Sequence, residues 1–422
     1  MEINQLLKGI SCRCGRNHTC DIKYVNIGKN AINDLKVLCK EFKAPLVVAD
    51  ENTFLAAGKQ TLAALKNKQI KSVVFGKELL IPNEDAIKRV EKELNGVDLI
   101  VAVGSGVIQD LCKYVAHFNN LPYLVVATAP SMDGYASNGA AMITGGMKVT
   151  YNATLPVAIV ANTDILKDAP LEMIKAGYGD IIGKYSALND WKLSNIITNE
   201  YFCEEIYNLT FEQIKNTAPL AKKLLKRDED AVKTLMEALI IVGILMSFVG
   251  SSRPASGSEH HLSHFFEITG IIDNKPYLAH GLDVAFSTVV TAEIREKIAN
   301  MKQFGAKSQL PNEKRDALLF EIYKDIAPSC LALQEKAGFY TADRSEIYKE
   351  KQEEIIATLK QMPSANEIVE ILNSIELDVK AFYDFYGEEK IKNAAIFAKD
   401  LKDRFSVLWL YYDFLGALNE QA

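Results

Sequence analysis

Between residues 44 and 166, short apolar runs alternate with amphipathic segments, and this alternation constrains the fold more than any other feature. "APLVVAD" (Ala44–Asp50), "IKSVVFG", "VDLIVAVGSG", "LPYLVVATAP" and "VAIVANTDIL" (Val157–Leu166) are continuous apolar runs rich in β-branched residues. Strands of a parallel sheet read this way because helices cover both faces. The intervening "AAGKQTLAALKN", "NEDAIKRVEKELN" and "IQDLCKYVAHFN" have helical patterns, with apolar spacing near 3.6 in the second. Strand and helix in alternation predict an α/β domain with a parallel sheet over residues 1–165.

After Leu166 the character changes, and residues 166–422 predict an all-α domain. "KDAPLEMIKAGYGDIIGKYSALNDWKLSN" opens it, with Asp168 as the expected N-cap and Pro170 in the first turn. The most apolar stretch, Ala238–Gly250, is shorter than the roughly 20 residues of a membrane span and predicts a core helix. A formal net charge of −6 argues against nucleic acid or an anionic membrane as the main partner. "MEINQLLKGISC" lacks the basic start and apolar run of a secretory signal. With seven scattered cysteines, the expectation is a cytoplasmic chain of reduced thiols.

Several motifs point to chemistry. Gly104 and Gly106 follow a strand and precede a helix, where backbone N–H groups can face a phosphate. Asp50 closes an earlier strand, where an acid can accept from an adenine ribose or cap the next helix. "ATAPSMDGYASNGAAMITGGMK" (Ala127–Lys148) reads as a long polar loop after a strand, with Thr128, Ser131, Asp133 and Ser137 as its polar candidates. Asp180 stands among Gly177, Gly179 and Gly183, and each glycine costs a helix roughly 1 kcal/mol, so close approach of a backbone or ligand is expected there. "SGSEHHLSHFF" (Ser256–Phe266) holds three of six histidines. With Ser258 as N-cap, both His260/His264 and His261/His264 share a helix face, so spacing does not choose between them. His280 lies in a separate segment, and one carboxylate with two imidazoles makes a three-ligand site with an open position, as a catalytic divalent metal requires. "CRCGRNHTC" (Cys12–Cys20) is a compact zinc-capable set with His18 inside it, a structural clip rather than a catalytic centre.

"GSGVIQD", "TAPSMDGYAS", "DIIGKYSALNDWKLS", "SRPASGSEHHLSH" and "AHG" together resemble the sn-glycerol-1-phosphate dehydrogenases, most closely their bacterial branch. These belong to the superfamily of iron alcohol dehydrogenases, glycerol dehydrogenases and dehydroquinate synthases. The resemblance implies a dehydroquinate-synthase-like fold, with a nucleotide-binding α/β domain, a helical domain and an active site in the cleft between them. It implies NAD or NADP, a divalent metal (zinc or nickel), a phosphorylated triose or glycerol substrate and a homodimer. Position by position, Asp50 holds the adenine ribose, and its charge favours NAD. Gly104, Ser105, Gly106, Val107 and Ile108 cradle the pyrophosphate, and Thr128, Ala129, Pro130, Ser131 and Ser137 line the dinucleotide. Asp133 touches substrate; Asp180, His260 and His280 bind the metal; and His264 contacts substrate and relays a proton, while His261 takes no role. Catalytic weight thus falls on His264 and Asp180. Arg253 is the expected phosphate partner, with Lys148 and Lys184 as weaker ones. The implied reaction interconverts dihydroxyacetone phosphate and sn-glycerol 1-phosphate by hydride transfer at C2, with the metal as Lewis acid. A glycerol dehydrogenase or a dehydroquinate-synthase-like cyclase is the competing expectation.

Overall fold

A computed structural model describes residues 2–78, 80–304 and 308–417. By internal contacts the chain forms two units, Met1–Ile181 with Asn208–Ser252 and Ile182–Tyr207 with Arg253–Ala422. The passage from one to the other falls inside a helix, and the first unit takes back a later segment; the sequence reading places a single boundary near residue 165.

The first unit is built on a six-stranded, all-parallel sheet. A small antiparallel pair, β1 (Ile10–Ser11) and β2 (Asn17–His18), precedes it. The sheet strands are β3 (Tyr24–Gly28), β4 (Pro45–Asp50), β5 (Lys71–Phe75), β6 (Leu99–Gly104), β7 (Tyr123–Ala127) and β10 (Ala158–Asn162), in the order β3-β10-β7-β6-β4-β5. Alternate residues of the central strands (Val47 and Ala49, Val101 and Val103, Leu124 and Val126) join one core cluster. Their neighbours Leu46, Val48, Ile100 and Ala102 are equally buried on the other face. Each buried Val, Leu or Ile side chain here stabilises the fold by roughly 1.5–3 kcal/mol, which is why these strands read as unbroken apolar runs.

The strand order reverses between β4 and β6: the chain leaves β4 toward the β5 edge and leaves β6 toward β7. Ligands of open parallel sheets bind outside the carboxyl ends of strands at such a switch point. Asp50 ends β4 and Gly104 ends β6, so both stand there.

Two expectations about local structure are corrected in this unit. The segment Ala127–Lys148 is a loop only in its first part. From Gly139 it forms a hairpin, β8 (Gly139–Thr144) with β9 (Met147–Asn152), closed by Gly145 and Gly146 at φ +56° and +77°. Two successive left-handed residues suit a tight hairpin turn. Asp168 does not cap the long helix: it ends the short helix Thr163–Lys167, with its carboxylate on Lys167. The long helix starts at Leu171, just after Pro170.

Three helices matter in the first unit. They are α1 (Gly106–Phe118), the start of α2 (Leu171–Thr198) and α3 (Glu229–Val249). α3 alone among the described helices is long and apolar enough to cross a membrane, with a mean hydropathy of 2.0 over a window that is 72% buried. It is capped by the Asp228 side chain on Ala231 N–H at 3.0 Å and by left-handed Gly250. Gly243 lets its backbone meet the loop after β7, since a Cβ there would lie 2.7 Å from the Asp133 carbonyl oxygen.

The second unit is helical among its described residues and contains the rest of α2, then α4 (Ser258–Asp273), α5 (His280–Ala299) and α6 (Val407–Leu415). Ser258 is not the N-cap of α4. Its hydroxyl meets Ser186 at 3.1 Å, and its N–H donates to Asp190 Oδ2 at 2.6 Å. The other Asp190 oxygen accepts from Val407 N–H at 2.8 Å and pairs with Arg295 at 2.8 Å. One buried carboxylate therefore satisfies the first amides of α4 and α6 together, where the helix dipoles favour a negative charge. Gly257 allows that approach: a Cβ would lie 2.7 Å from Asp190 Oδ2.

Candidate active site

In the first unit the switch point is built from backbone. Gly104 is required because a Cβ there would lie 2.6 Å from the Cβ of Ile108, so Ile108 serves the packing of α1 onto its strand. Ser105 precedes α1 in extended geometry and offers no side-chain cap to it. The first-turn amides of α1, from Gly106 onward, thus lie beside a Cβ-free strand end, which suits an anionic group. Asp50 caps its own helix: Oδ1 accepts from Thr53 N–H at 2.8 Å, while Thr53 Oγ1 accepts from Asp50 N–H at 3.0 Å. The cap uses one carboxylate oxygen, so it is compatible with a ribose contact through the other.

Beyond β7 the chain runs through Thr128, Ala129, Pro130 and Ser131, all buried. Thr128 N–H donates to the Gly104 carbonyl at 3.3 Å, joining this segment to the glycine turn. Tyr135 donates its hydroxyl to the Ala129 carbonyl at 2.6 Å. Lys113, on α1, is fully buried and donates to the carbonyls of Gly134 and Gly139 at 2.8 Å each, with Ser137 Oγ at 3.4 Å. Burial lowers the affinity of Lys113 for its proton, and the charges of Asp110 and Asp133 oppose that. The sequence reading missed Lys113, whose partners lie 21–26 residues away.

The glycines of α2 have a physical reason. A Cβ on Gly177 would overlap the Pro130 carbonyl oxygen, so α2 crosses the loop at backbone contact. That crossing seats Asp180, which is fully buried, against the loop: its Oδ2 accepts from Asp133 N–H at 3.0 Å. Gly183 makes room in the second unit, where a Cβ would lie 2.5 Å from Val284.

The second unit brings the histidines together. Ring centroids lie 5.1 Å apart for His260 and His280, 5.8 Å for His264 and His280, and 6.4 Å for His260 and His264. His260 and His280 offer ring nitrogens within 4.8 Å of each other. His260 Nδ1 lies 2.6 Å from Glu259 Oε1, and His280 Nδ1 lies 3.2 Å from Ser263 Oγ. With Nδ1 held in each case, Nε2 is the atom through which each ring would ligate an ion, which is how second contacts set ligating histidines. Burial alone would raise the Glu259 carboxyl, but the hydrogen bond and charge of His260 carry it below the ordinary range. His261, on the same turn, is fully buried and its ring nitrogens make no hydrogen bond among the described residues. Burial first, then the charges of Arg404, Lys402 and Arg253, keeps it neutral.

Arg253 is buried and engaged: Nε and Nη2 donate to the two Glu200 carboxylate oxygens at 3.1 Å each, and Nη2 to the Phe405 carbonyl at 2.8 Å. Arg404, which the sequence reading missed, donates to the Ser256 carbonyl at 3.2 Å. Burial and then the neighbouring Arg253 charge push its guanidinium down to about 10. Lys148 lies on β9 in the first unit and Lys184, fully buried, on α2 in the second.

The profile of the iron-containing alcohol dehydrogenases matches residues 26–170. Over 309 residues the chain is 35% identical to the glycerol-1-phosphate dehydrogenase (NAD(P)+) of Geobacillus thermodenitrificans, covering 70% of this chain and 76% of that one. The glycerol-1-phosphate dehydrogenase (NAD(P)+) of Pyrococcus furiosus is 35% identical over 271 residues, 64% of this chain and 77% of that one. Among solved structures, an iron-containing alcohol dehydrogenase from Thermococcus thioreducens shares the fold, with a TM-score of 0.59 at 14% identity, over 94% of this chain and 99% of that one. A glycine turn at a sheet switch point and a histidine pair with fixed Nδ1 atoms agree with that ancestry, and the chain belongs to the glycerol-1-phosphate dehydrogenase family.

Proposed function

We propose that this chain interconverts dihydroxyacetone phosphate and sn-glycerol 1-phosphate with NAD(P) and a divalent metal; its relatives carry the name glycerol-1-phosphate dehydrogenase (NAD(P)+). The observation that carries the site assignment is the His260–His280 pair, each held at Nδ1, with ring nitrogens within 4.8 Å of each other. Asp180 is the proposed third ligand, and zinc or nickel the proposed ion, since imidazole with one carboxylate suits borderline ions. When bound, the ion supplies Lewis-acid polarisation at the C2 oxygen and the nicotinamide carries the hydride.

The chain's own residues supply the rest of this reading. Gly104–Ile108 receive the pyrophosphate, Asp50 the adenine ribose, and Thr128–Ser131 with Ser137 the remaining dinucleotide. Lys113 keeps the Gly134–Gly139 segment in one conformation for that purpose. His264 moves the proton at the C2 oxygen and Asp133 orients the substrate. Arg404 and Arg253 receive the phosphate. Support for this comes from electrostatics: Arg404 is partly buried beside another guanidinium, and a bound dianion relieves that repulsion. A homodimer is the proposed assembly.

Kinetics on two substrates test the phosphate assignment. Arg404→Ala is expected to raise KM for dihydroxyacetone phosphate about 10- to 100-fold, the loss of one charge-assisted hydrogen bond. KM for unphosphorylated dihydroxyacetone should stay unchanged. Equal effects on both would remove Arg404 from the phosphate site.

A further inference from the structure

The chemistry proposed above leaves one ligand-bearing motif unused, the hairpin at the N-terminus. Cys12, Cys14 and His18 bring two thiol sulfurs and one ring nitrogen within 4.8 Å of one another. The hairpin β1–β2 creates this convergence, pairing Ile10 with His18 and Ser11 with Asn17 so that residues 12–16 form the connecting loop. Gly15 turns that loop at φ +85°, a left-handed conformation that favours glycine, and its N–H donates to the Cys12 carbonyl at 3.3 Å. Cys14 N–H points to Cys12 Sγ at 3.5 Å. Cys20, the last cysteine of the motif, is not among the converging groups.

His18 is set as a ligand is set. It is fully buried, its Nδ1 lies 3.2 Å from the Phe248 carbonyl, and its ring stacks on that of Phe248 at 5.7 Å and 24°. Donation from Nδ1–H to the carbonyl leaves the Nε2 lone pair directed at Cys14 Sγ, 3.4 Å away. Tetrahedral zinc with Zn–S of about 2.3 Å and Zn–N of about 2.0–2.1 Å places neighbouring S and N ligands about 3.6 Å apart. The separation found is close to that edge.

We propose that Cys12, Cys14 and His18 bind a zinc ion, separate from the catalytic metal, that fastens the N-terminal hairpin to the end of α3. Three ligands from the hairpin leave one tetrahedral position for a further donor. Zinc binding displaces the two thiol protons to solvent and involves no redox change.

Cobalt substitution of the full chain tests this. Thiolate ligands give a sulfur-to-cobalt charge-transfer band in the near ultraviolet, which a carboxylate–imidazole set does not. The wild-type chain is expected to show that band and, as the zinc form, to retain the ion through dialysis against a weak chelator. The double variant Cys12→Ser/Cys14→Ser should lose the band and one zinc per chain, lower Tm, and keep the turnover of its folded fraction. Cys14→His retains a ligand and should keep the ion with a weaker band, which preserves the test if the double variant fails to fold. Absence of the band in the wild-type chain, or a band of equal strength in Cys14→His, overturns the proposal.

Discussion

The two units position their functional groups by different physics. In the first unit the controlling interactions around the switch point and the loop after β7 are steric. Gly104 against Ile108, Gly177 against the Pro130 carbonyl and Gly243 against the Asp133 carbonyl all exclude a side chain, so the elements meet at close range. Around α4 of the second unit they are electrostatic: Asp190 joins two helix starts to Arg295, Glu259 holds His260, and Glu200 holds Arg253. A dinucleotide with many contacts is served by a fixed surface. An ion and a phosphate require charges held at defined atoms, and buried charges must be compensated.

Substitutions can break this contrast. The largest stability effect is expected for Asp190→Ala, which leaves Arg295 and two helix-start amides without their shared acceptor; about 3–5 kcal/mol should be lost in denaturant unfolding, together with metal retention. Gly177→Ala comes next, at about 1–3 kcal/mol from overpacking against the Pro130 carbonyl. Its cost should not change with salt or pH, and a strong dependence on either would contradict the steric reading. Glu200→Gln should cost about 1–2 kcal/mol at neutral pH, through weakening of the partly exposed pair with Arg253. Burial alone would raise the Glu200 carboxyl, but the Arg253 charge and hydrogen bonds bring it below 4.5. A depressed carboxyl stabilises the fold above its unfolded value and loses that contribution as pH falls. The gap in Tm between wild type and Glu200→Gln should therefore be full near pH 6 and close progressively below about pH 4.5.

The same contrast explains what could be read in the sequence. Strands β4, β6, β7 and β10 were legible because burial on both faces leaves unbroken apolar runs, and the edge strand β5, buried on one face, still carries the apolar run Val73–Phe75. The short edge strand β3, "YVNIG", carries a polar residue in its middle and gave no such signal. The hairpin β8–β9 was concealed in a stretch of small residues that resembles a loop. The glycine clusters announced close approach, and Gly177 and Gly183 provide it. The charge network was not legible, because Asp190 meets residues 68 and 217 positions away. For that reason Ser258 looked like its own N-cap, and Lys113 and Arg404 drew no attention. Spacing alone also left His260 and His261 equivalent as partners of His264, whereas the structure gives a fixed Nδ1 to His260 and no hydrogen bond to His261 among the described residues.

The central claim is tested most directly by NAD(P)H-linked reduction of dihydroxyacetone phosphate on metal-depleted chain, before and after reloading, with the product's configuration assigned. Depletion is expected to abolish turnover, zinc or nickel to restore it, and the product to be sn-glycerol 1-phosphate. Turnover that survives depletion, or formation of sn-glycerol 3-phosphate, would contradict that claim.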